Sequence, residues 1–318
     1  MGFENIIGHE KSKSLLKMFL ENKNIPHAFL FYGQEGIGKK LVAKEFAKHL
    51  FCETGTACAR CSPCIKLDRG SHPDLIVIEG ENSIGIDQSR MLSKEICEYP
   101  YESKKRVIII DQAETLTREA ANALLKTLEE PPPYNHFFLI TSAEQEVPAT
   151  IRSRCNRVFF APLSREQLKQ FFLQRPGSDK DQADLLADIS CGSIGCGLFW
   201  AEADNFLLRR MIIELITGQN KGFVRASFIA EKIAKTNMGL GMYLAFLLSF
   251  FRDLLVVRHS QDLTMIINRD VKEFLDWQKA DTQWAENTIK RIQETTAIMR
   301  YNVNRWLAFE NLLFQVMR

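Results

Sequence analysis

The chain has 318 residues, 46% of them hydrophobic and 25% charged, with a formal net charge of +2. That length supports two or three domains with their own cores, and a charge so close to zero excludes a dedicated polycationic nucleic-acid binder while leaving room for a local basic patch. Met1 to Asn5 lacks the basic and apolar regions of a signal peptide, and Ile6 stands where a myristoylation pattern needs Ser or Thr, so a cytoplasmic protein with reduced thiols is expected.

In chain order, His27 to Tyr32 is a short apolar strand that runs into a glycine-rich turn, and Lys40 to Leu50 follows with Leu41, Phe46 and Leu50 at helical spacing. Leu75 to Ile78, Arg106 to Ile110 and His136 to Thr141 are β-rich runs with few charges. Such runs are the buried parallel strands of an α/β sheet, with helices as crossovers. Arg118 to Glu130 is built of good helix formers and stops at Pro131-Pro132-Pro133.

Beyond Pro162 the pattern is helical alone. Ser164 and Gln167 form a capping box, Asp181 to Ile189 is a further helix ended by Cys191 to Gly195, and turn signals fall at Gly218 to Gly222 and at Thr236-Asn237. The most apolar window, Leu240 to Phe251, is broken by Arg252 and Asp253 and is shorter than the roughly 20 residues that span a bilayer, so it reads as a buried amphipathic helix and no membrane partner is expected. The fold class expected is α/β followed by all-α, in three domains: a nucleotide fold over 1–163 carrying a cysteine module at 52–64, a small helical domain over 164–205, and a helical domain over 206–318.

Gly33-Gln34-Glu35-Gly36-Ile37-Gly38-Lys39-Lys40 lies between a strand and a helix and matches the phosphate-binding loop in every position but the last. In the intact motif, backbone N–H groups and the lysine hold phosphates and a terminal Ser or Thr hydroxyl holds Mg²⁺. With Lys40 in that place magnesium lacks its side-chain ligand, and Lys40 is free to project elsewhere from the helix. A second motif, Arg106 to Glu114, places Asp111 at the end of an apolar strand, where such an acid orients Mg²⁺ and the next acid polarises the attacking water. That next residue is Gln112, whose amide accepts no proton. Glu114 is two residues further on and is not expected to substitute. Asp111 as a helix cap is the structural alternative.

Cys52, Cys58, Cys61 and Cys64, four of the eight cysteines, have the spacing of a closed tetrahedral Zn²⁺ site, which leaves no position open for catalysis. A disulfide is disfavoured in a reducing compartment, and an iron–sulfur cluster is the less suited alternative. Cys97, Cys155, Cys191 and Cys196 are scattered and read as core or loop thiols. Arg152-Ser153-Arg154-Cys155 lies just past a strand, where an arginine can reach a phosphate held by a neighbouring subunit.

Four segments together make the chain resemble the AAA+ clamp-loader family. They are Phe3 to His9, the glycine loop with the cysteine module soon after it, Asn122-Ala123-Leu124-Leu125-Lys126-Thr127-Leu128-Glu129-Glu130-Pro131-Pro132, and Ser153-Arg154-Cys155. The resemblance covers residues 1 to about 200 well and the C-terminal helices loosely, with Asn302 to Val316 like a final helix of the family.

The resemblance implies a heteropentameric ring that opens a sliding clamp and places it on primed DNA, with motor ATPase and clamp-opening subunits as partners. It makes Arg154 an arginine finger offered in trans, puts Thr141 and Ser142 in the sensor-1 region, and sets Gly195 where ATP-using relatives carry the sensor-2 arginine.

Lys40, Gln112 and Gly195 are thus three departures in one site. Removal of single transition-state contacts commonly costs tenfold to a thousandfold, and such losses do not simply add, so hydrolysis by this chain is not expected, and whether ATP or ADP is retained stays open. The reading is a stationary ring subunit within the DNA polymerase III assembly, silent itself. Two others stand beside it: an autonomous AAA+ ATPase, and a zinc-knuckle nucleic-acid adaptor, which near-neutral charge and few aromatics around Cys52 to Cys64 weaken.

Overall fold

The computed structural model describes residues 2–22, 24–79, 84–85, 95–177, 179–218, 222–235, 239–260, 265–275, 282–299 and 303–317. They form two compact units: Met1–Gln167 with Gly192–Gly195, and Leu168–Cys191 with Cys196–Arg318. The turns expected at Gly218 to Gly222 and Thr236-Asn237, and the start of the last helix at Asn302, lie wholly or partly outside the described residues.

The first unit is built on five parallel strands in the order β2-β3-β4-β1-β5: β1 (Ala28–Gly33), β2 (Leu75–Glu79), β3 (Arg106–Asp111), β4 (Asn135–Thr141) and β5 (Asn156–Phe160). Side chains alternate across a strand, so each apolar run feeds two cores. Phe29, Phe31, Val107, Ile109, Phe138 and Ile140 pack on one face with Phe46 of helix α2 (Lys39–Phe51). Ala28, Leu30, Ile108, Ile110, Phe137 and Leu139 pack on the other with Leu124 and Leu128 of the helix Arg118–Glu129. Burial on both faces is why β1, β3 and β4 read as nearly unbroken apolar runs.

Several elements were not expected from the sequence, among them the helices Ser62–Asp68, Ala149–Arg152 and Ile194–Ala201. The helix Glu10–Glu21 buries Ser12, Lys13 and Leu16, and Lys13 satisfies its ammonium on Ile6 O at 2.8 Å. The strand β5 pairs beside β1, with Asn156, Arg157 and Phe159 exposed and Val158 and Phe160 buried.

The α/β sheet followed by helices agrees with the expected fold class. In the second unit the helices include Lys180–Ile189, Ala203–Ile216, Phe223–Ala234, Gly239–Ser260, Thr282–Ile298 and Arg305–Val316, with a 3₁₀ segment at Arg269–Phe274. The expected capping box forms at the end of the first unit, where Ser164 N–H donates to Gln167 Oε1 at 2.9 Å and Gln167 N–H to Ser164 Oγ at 3.2 Å. Gly239–Ser260 is long and apolar enough by length and composition to cross a membrane. Its Tyr243, Leu247, Phe250, Phe251 and Leu254 are buried, and its fully buried Asp253 accepts the N–H groups of Ile267 and Asn268 at 3.0 and 2.8 Å. Arg209, 1% exposed, is held by Asp270 at 2.9 Å and by Asn268 at 2.6 Å, so its buried charge is paired.

Candidate nucleotide site and cysteine cluster

The glycine loop leaves the C-terminal end of β1 and enters α2, at the edge of a parallel sheet where ligands bind in folds of this type. Gly36 has φ +73°, and a β-carbon there would meet Ser193 Oγ at 2.6 Å and Gly195 Cα at 3.0 Å, so both backbone shape and crowding require glycine. His9 braces the loop from below, with its Nε2 2.7 Å from Ile37 O.

Lys39 is 6% exposed and curls back over the loop, donating from Nζ to Gly33 O and Gln34 O at 2.7 Å each. Burial pushes its pKa below the ordinary lysine value, against the opposing charges of Glu114, Asp111 and Glu35. Gly38, at φ +100°, precedes it at the helix start.

Lys40 does not project away. Its ammonium lies 3.2 Å from Asp111 Oδ2 and is hydrogen-bonded to Glu79. Burial disfavours this charge, but the hydrogen bonds and charges of Glu79 and Asp111 outweigh it and hold the ammonium pKa above its ordinary value. The sheet creates this trio, because β2 and β3 pair in parallel with Glu79 opposite Asp111, so both carboxylates end their strands side by side. Glu79 was missed in the sequence. The signal available was an acid ending the run Leu75 to Ile78, as Asp111 ends its own.

Asp111 Oδ1 accepts the Gln112 N–H at 3.0 Å. Gln112 is exposed, with φ +55°, and precedes the 3₁₀ turn Ala113–Thr115. Glu114 turns to the end of β4, where its Oε1 accepts the Ser142 N–H at 3.1 Å and the Ser142 hydroxyl at 2.7 Å. Thr141 is buried and accepts the Ala143 N–H at 3.0 Å.

Gly195 meets the glycine loop directly. Its N–H donates to Gly36 O at 2.9 Å, and Ser193 Oγ donates to Glu35 O at 2.8 Å. A β-carbon at 195 would stand 2.8 Å from Gly36 Cα, so Gly195 is in backbone contact with the loop.

Arg154 follows the short helix Ala149–Arg152, donates to Thr150 O at 2.8 Å and is ion-paired with Glu129. Its side chain is 33% exposed. Glu129 was quoted in the sequence only as part of a motif, and its pairing with Arg154 spans 25 residues.

The sulfur atoms of Cys52, Cys58, Cys61 and Cys64 all lie within 4.8 Å of one another. Four thiolates bound tetrahedrally at about 2.3 Å to one ion stand about 3.8 Å apart, so the cluster suits a metal ion such as zinc with little movement. Cys52 caps the end of α2 and Cys64 sits in the helix Ser62–Asp68. Burial opposes the charged form of Cys52, yet N–H groups of Cys58, Thr54 and Thr56 and the Thr54 hydroxyl hold its thiol down to about 5. Burial pushes the Cys64 thiol up.

A family profile described as "DNA polymerase III, delta subunit" matches residues 8–164. The DNA polymerase III subunit tau/gamma of Haemophilus influenzae is 36% identical over 171 residues, which is 53% of this chain and 25% of that protein. The chain thus spans about a quarter of the length of that relative. The DNA polymerase III subunit delta' of Bacillus subtilis is 30% identical over 313 residues, covering 95% of this chain and 94% of that one. Among solved structures, a gamma-subunit-related protein of Thermotoga maritima shares the fold, with TM-score 0.53, 17% identity, and coverage of 94% of this chain and 97% of the other. With four motif segments in place on a five-stranded parallel sheet and a delta' relative matched nearly end to end, the chain belongs to the AAA+ clamp-loader family of bacterial DNA polymerase III, the family of the delta' and gamma/tau subunits.

Proposed function

We propose that this chain is the non-hydrolysing, stationary delta'-like subunit of a sliding-clamp loader, acting in the cytoplasm within a heteropentameric ring. One observation carries the reading. Three positions that contact ATP in relatives are altered, and each altered residue is engaged in something else or unable to act: Lys40 pairs with Glu79 and Asp111, Gln112 is an exposed amide, and Gly195 touches Gly36. Arg154 keeps a partly exposed side chain, its guanidinium bonded to Thr150 O and paired with Glu129.

In this reading Arg154 stabilises transition-state charge on ATP bound by an adjacent motor subunit, while Lys39 and the loop glycines Gly33, Gly36 and Gly38 retain at most phosphate binding. The cluster of Cys52, Cys58, Cys61 and Cys64 holds a structural zinc. The domain division at 1–163, 164–205 and 206–318 assigns the nucleotide fold, a small lid and the oligomerisation collar. Motor and clamp-opening subunits, the clamp and primer-template DNA are the partners, the last two reached through the complex.

Two measurements test this. The isolated chain should show ATP turnover equal to that of its Lys39→Ala variant; a wild-type rate that falls on that substitution would sink the silent-site reading. Arg154→Ala should leave the far-UV circular dichroism of the chain unchanged but slow DNA-stimulated turnover of the reconstituted ring, since a finger in trans contributes on the order of 10³-fold or more at the site it serves. Unchanged turnover removes the finger role.

A further inference from the structure

Lys40 is usually the hydroxyl that reaches the metal, and Asp111 is the strand-end acid that orients it. A group that replaces one ligand and contacts the other occupies the place between them. Here that group is an ammonium, paired with Asp111 at 3.2 Å and with Glu79 from the neighbouring strand. The two carboxylates are register partners, so the β2–β3 pairing sets their backbones side by side at the strand ends.

A magnesium ion binds oxygen at about 2.0–2.1 Å in a nearly octahedral shell and keeps several waters. To reach Asp111 it would have to stand against a unit positive charge with the hydroxyl ligand missing. The residues present do not fit Mg²⁺.

We propose that the Lys40 ammonium is a tethered cation that takes the place of the divalent metal between Asp111 and Glu79, so that the site excludes Mg²⁺ and any nucleoside phosphate on the glycine loop is held without it. This rests on the silent-site reading and adds what neutralises the acids in a site that no longer works. It also predicts an unusual binding behaviour: in ordinary phosphate-binding loops the metal bridges protein and phosphate, whereas here withholding Mg²⁺ should leave phosphate binding unchanged.

The test uses the full chain loaded with zinc, with Mn²⁺ as a paramagnetic probe read by electron paramagnetic resonance, with and without ADP. Wild type should leave the free Mn²⁺ signal the same as Asp111→Asn does. Lys40→Thr should gain a Mn²⁺ site at least about tenfold tighter than any in wild type, because a repelling unit charge is removed and a hydroxyl supplied. The double variant Lys40→Thr/Asp111→Asn should lose that site again. Any ADP affinity of wild type should be equal with and without added Mg²⁺ in buffer freed of divalent metal beforehand.

Mn²⁺ binding by wild type that Asp111→Asn abolishes would overturn the proposal. So would a Lys40→Thr protein with wild-type circular dichroism and no added Mn²⁺ site. Should Lys40→Thr fail to fold, comparison of wild type with Asp111→Asn decides alone, its equality supporting the tethered cation and its difference refuting it. ATP turnover by the isolated zinc-loaded chain without added Mg²⁺ would end the silent-site reading and leave the tethered cation standing, while Mn²⁺ binding without turnover does the reverse.

Discussion

Replacing Gly195 by alanine isolates the contact between the sensor-2 position and the glycine loop. The added β-carbon would lie 2.8 Å from Gly36 Cα and 3.2 Å from Gly36 O. Carbon atoms rest at 3.5–4.0 Å, so the two backbones must part by roughly 1 Å. Overpacking of this kind costs about 1–3 kcal/mol. Loss of the 2.9 Å bond from Gly195 N–H to Gly36 O adds about 1 kcal/mol, and the better helix propensity of alanine returns up to about 1 kcal/mol.

The net expectation is about 1–3 kcal/mol, or a fall of about 2–12 °C in the melting midpoint of a unit the size of Met1–Gln167. Gly36→Ala should cost more, since its φ of +73° adds about 1–2 kcal/mol of backbone strain. The double variant should cost less than the two combined, because the parted contact is lost only once. Differential scanning calorimetry of the four proteins measures this cycle. A Gly195→Ala protein as stable as wild type, or strict additivity in the cycle, would refute the contact.

The cysteine cluster predicts one zinc per chain by mass spectrometry of metal content, lost in Cys58→Ser. Chelation should release the helix Ser62–Asp68 to proteolysis while β1, β3 and β4 keep their slow amide exchange; global unfolding on chelation would show that the metal carries more than its own knuckle. For Glu79, the hydrogen bond from Lys40 holds the carboxyl below its ordinary value of 4.5. A depressed folded pKa means the pairing stabilises above the unfolded value and is lost as pH falls through the folded one. Carbon-detected NMR titration should therefore place Glu79 below 4.5 in wild type and nearer the ordinary value in Lys40→Met. An unmoved Glu79 would mean that the pair does not form.

The sequence disclosed whatever is local in the chain. Strands β1, β3 and β4 were legible because both their faces are buried and few charges interrupt them, and the four cysteines because a metal site of short steps closes within 13 residues. The strand β5 escaped because it opens on Asn156 and Arg157 and exposes Phe159 at the sheet edge, which leaves too few buried positions for a period to show. The helix Glu10–Glu21 escaped because five of its twelve residues are charged and its buried set includes Ser12 and Lys13.

At the site, substitution of the motif hydroxyl by Lys40 was plain in the sequence, but its partners were not. Glu79 is 39 residues away and Glu129 is 25 residues from Arg154. Sheet register and packing bring these pairs together, and neither is written in local spacing. The approach of Gly195 to Gly36 is of the same kind, since glycines at both points are read alone as turn residues.

The trio of Lys40, Glu79 and Asp111 also bears on how such a chain can change by descent. A route to an ATP-splitting site needs a hydroxyl at 40, an acid at 112 and an arginine at 195. The first replacement strips the cation from between two carboxylates before the other two can be of use, and the last runs into the backbone of Gly36. A first step at 40 or at 195 disturbs an existing contact, and a first step at the exposed Gln112 leaves the other two departures in place. On the proposed reading, silence at this site works as a ratchet: lineages can drift further from hydrolysis, while a single step toward it gains nothing until the other two follow.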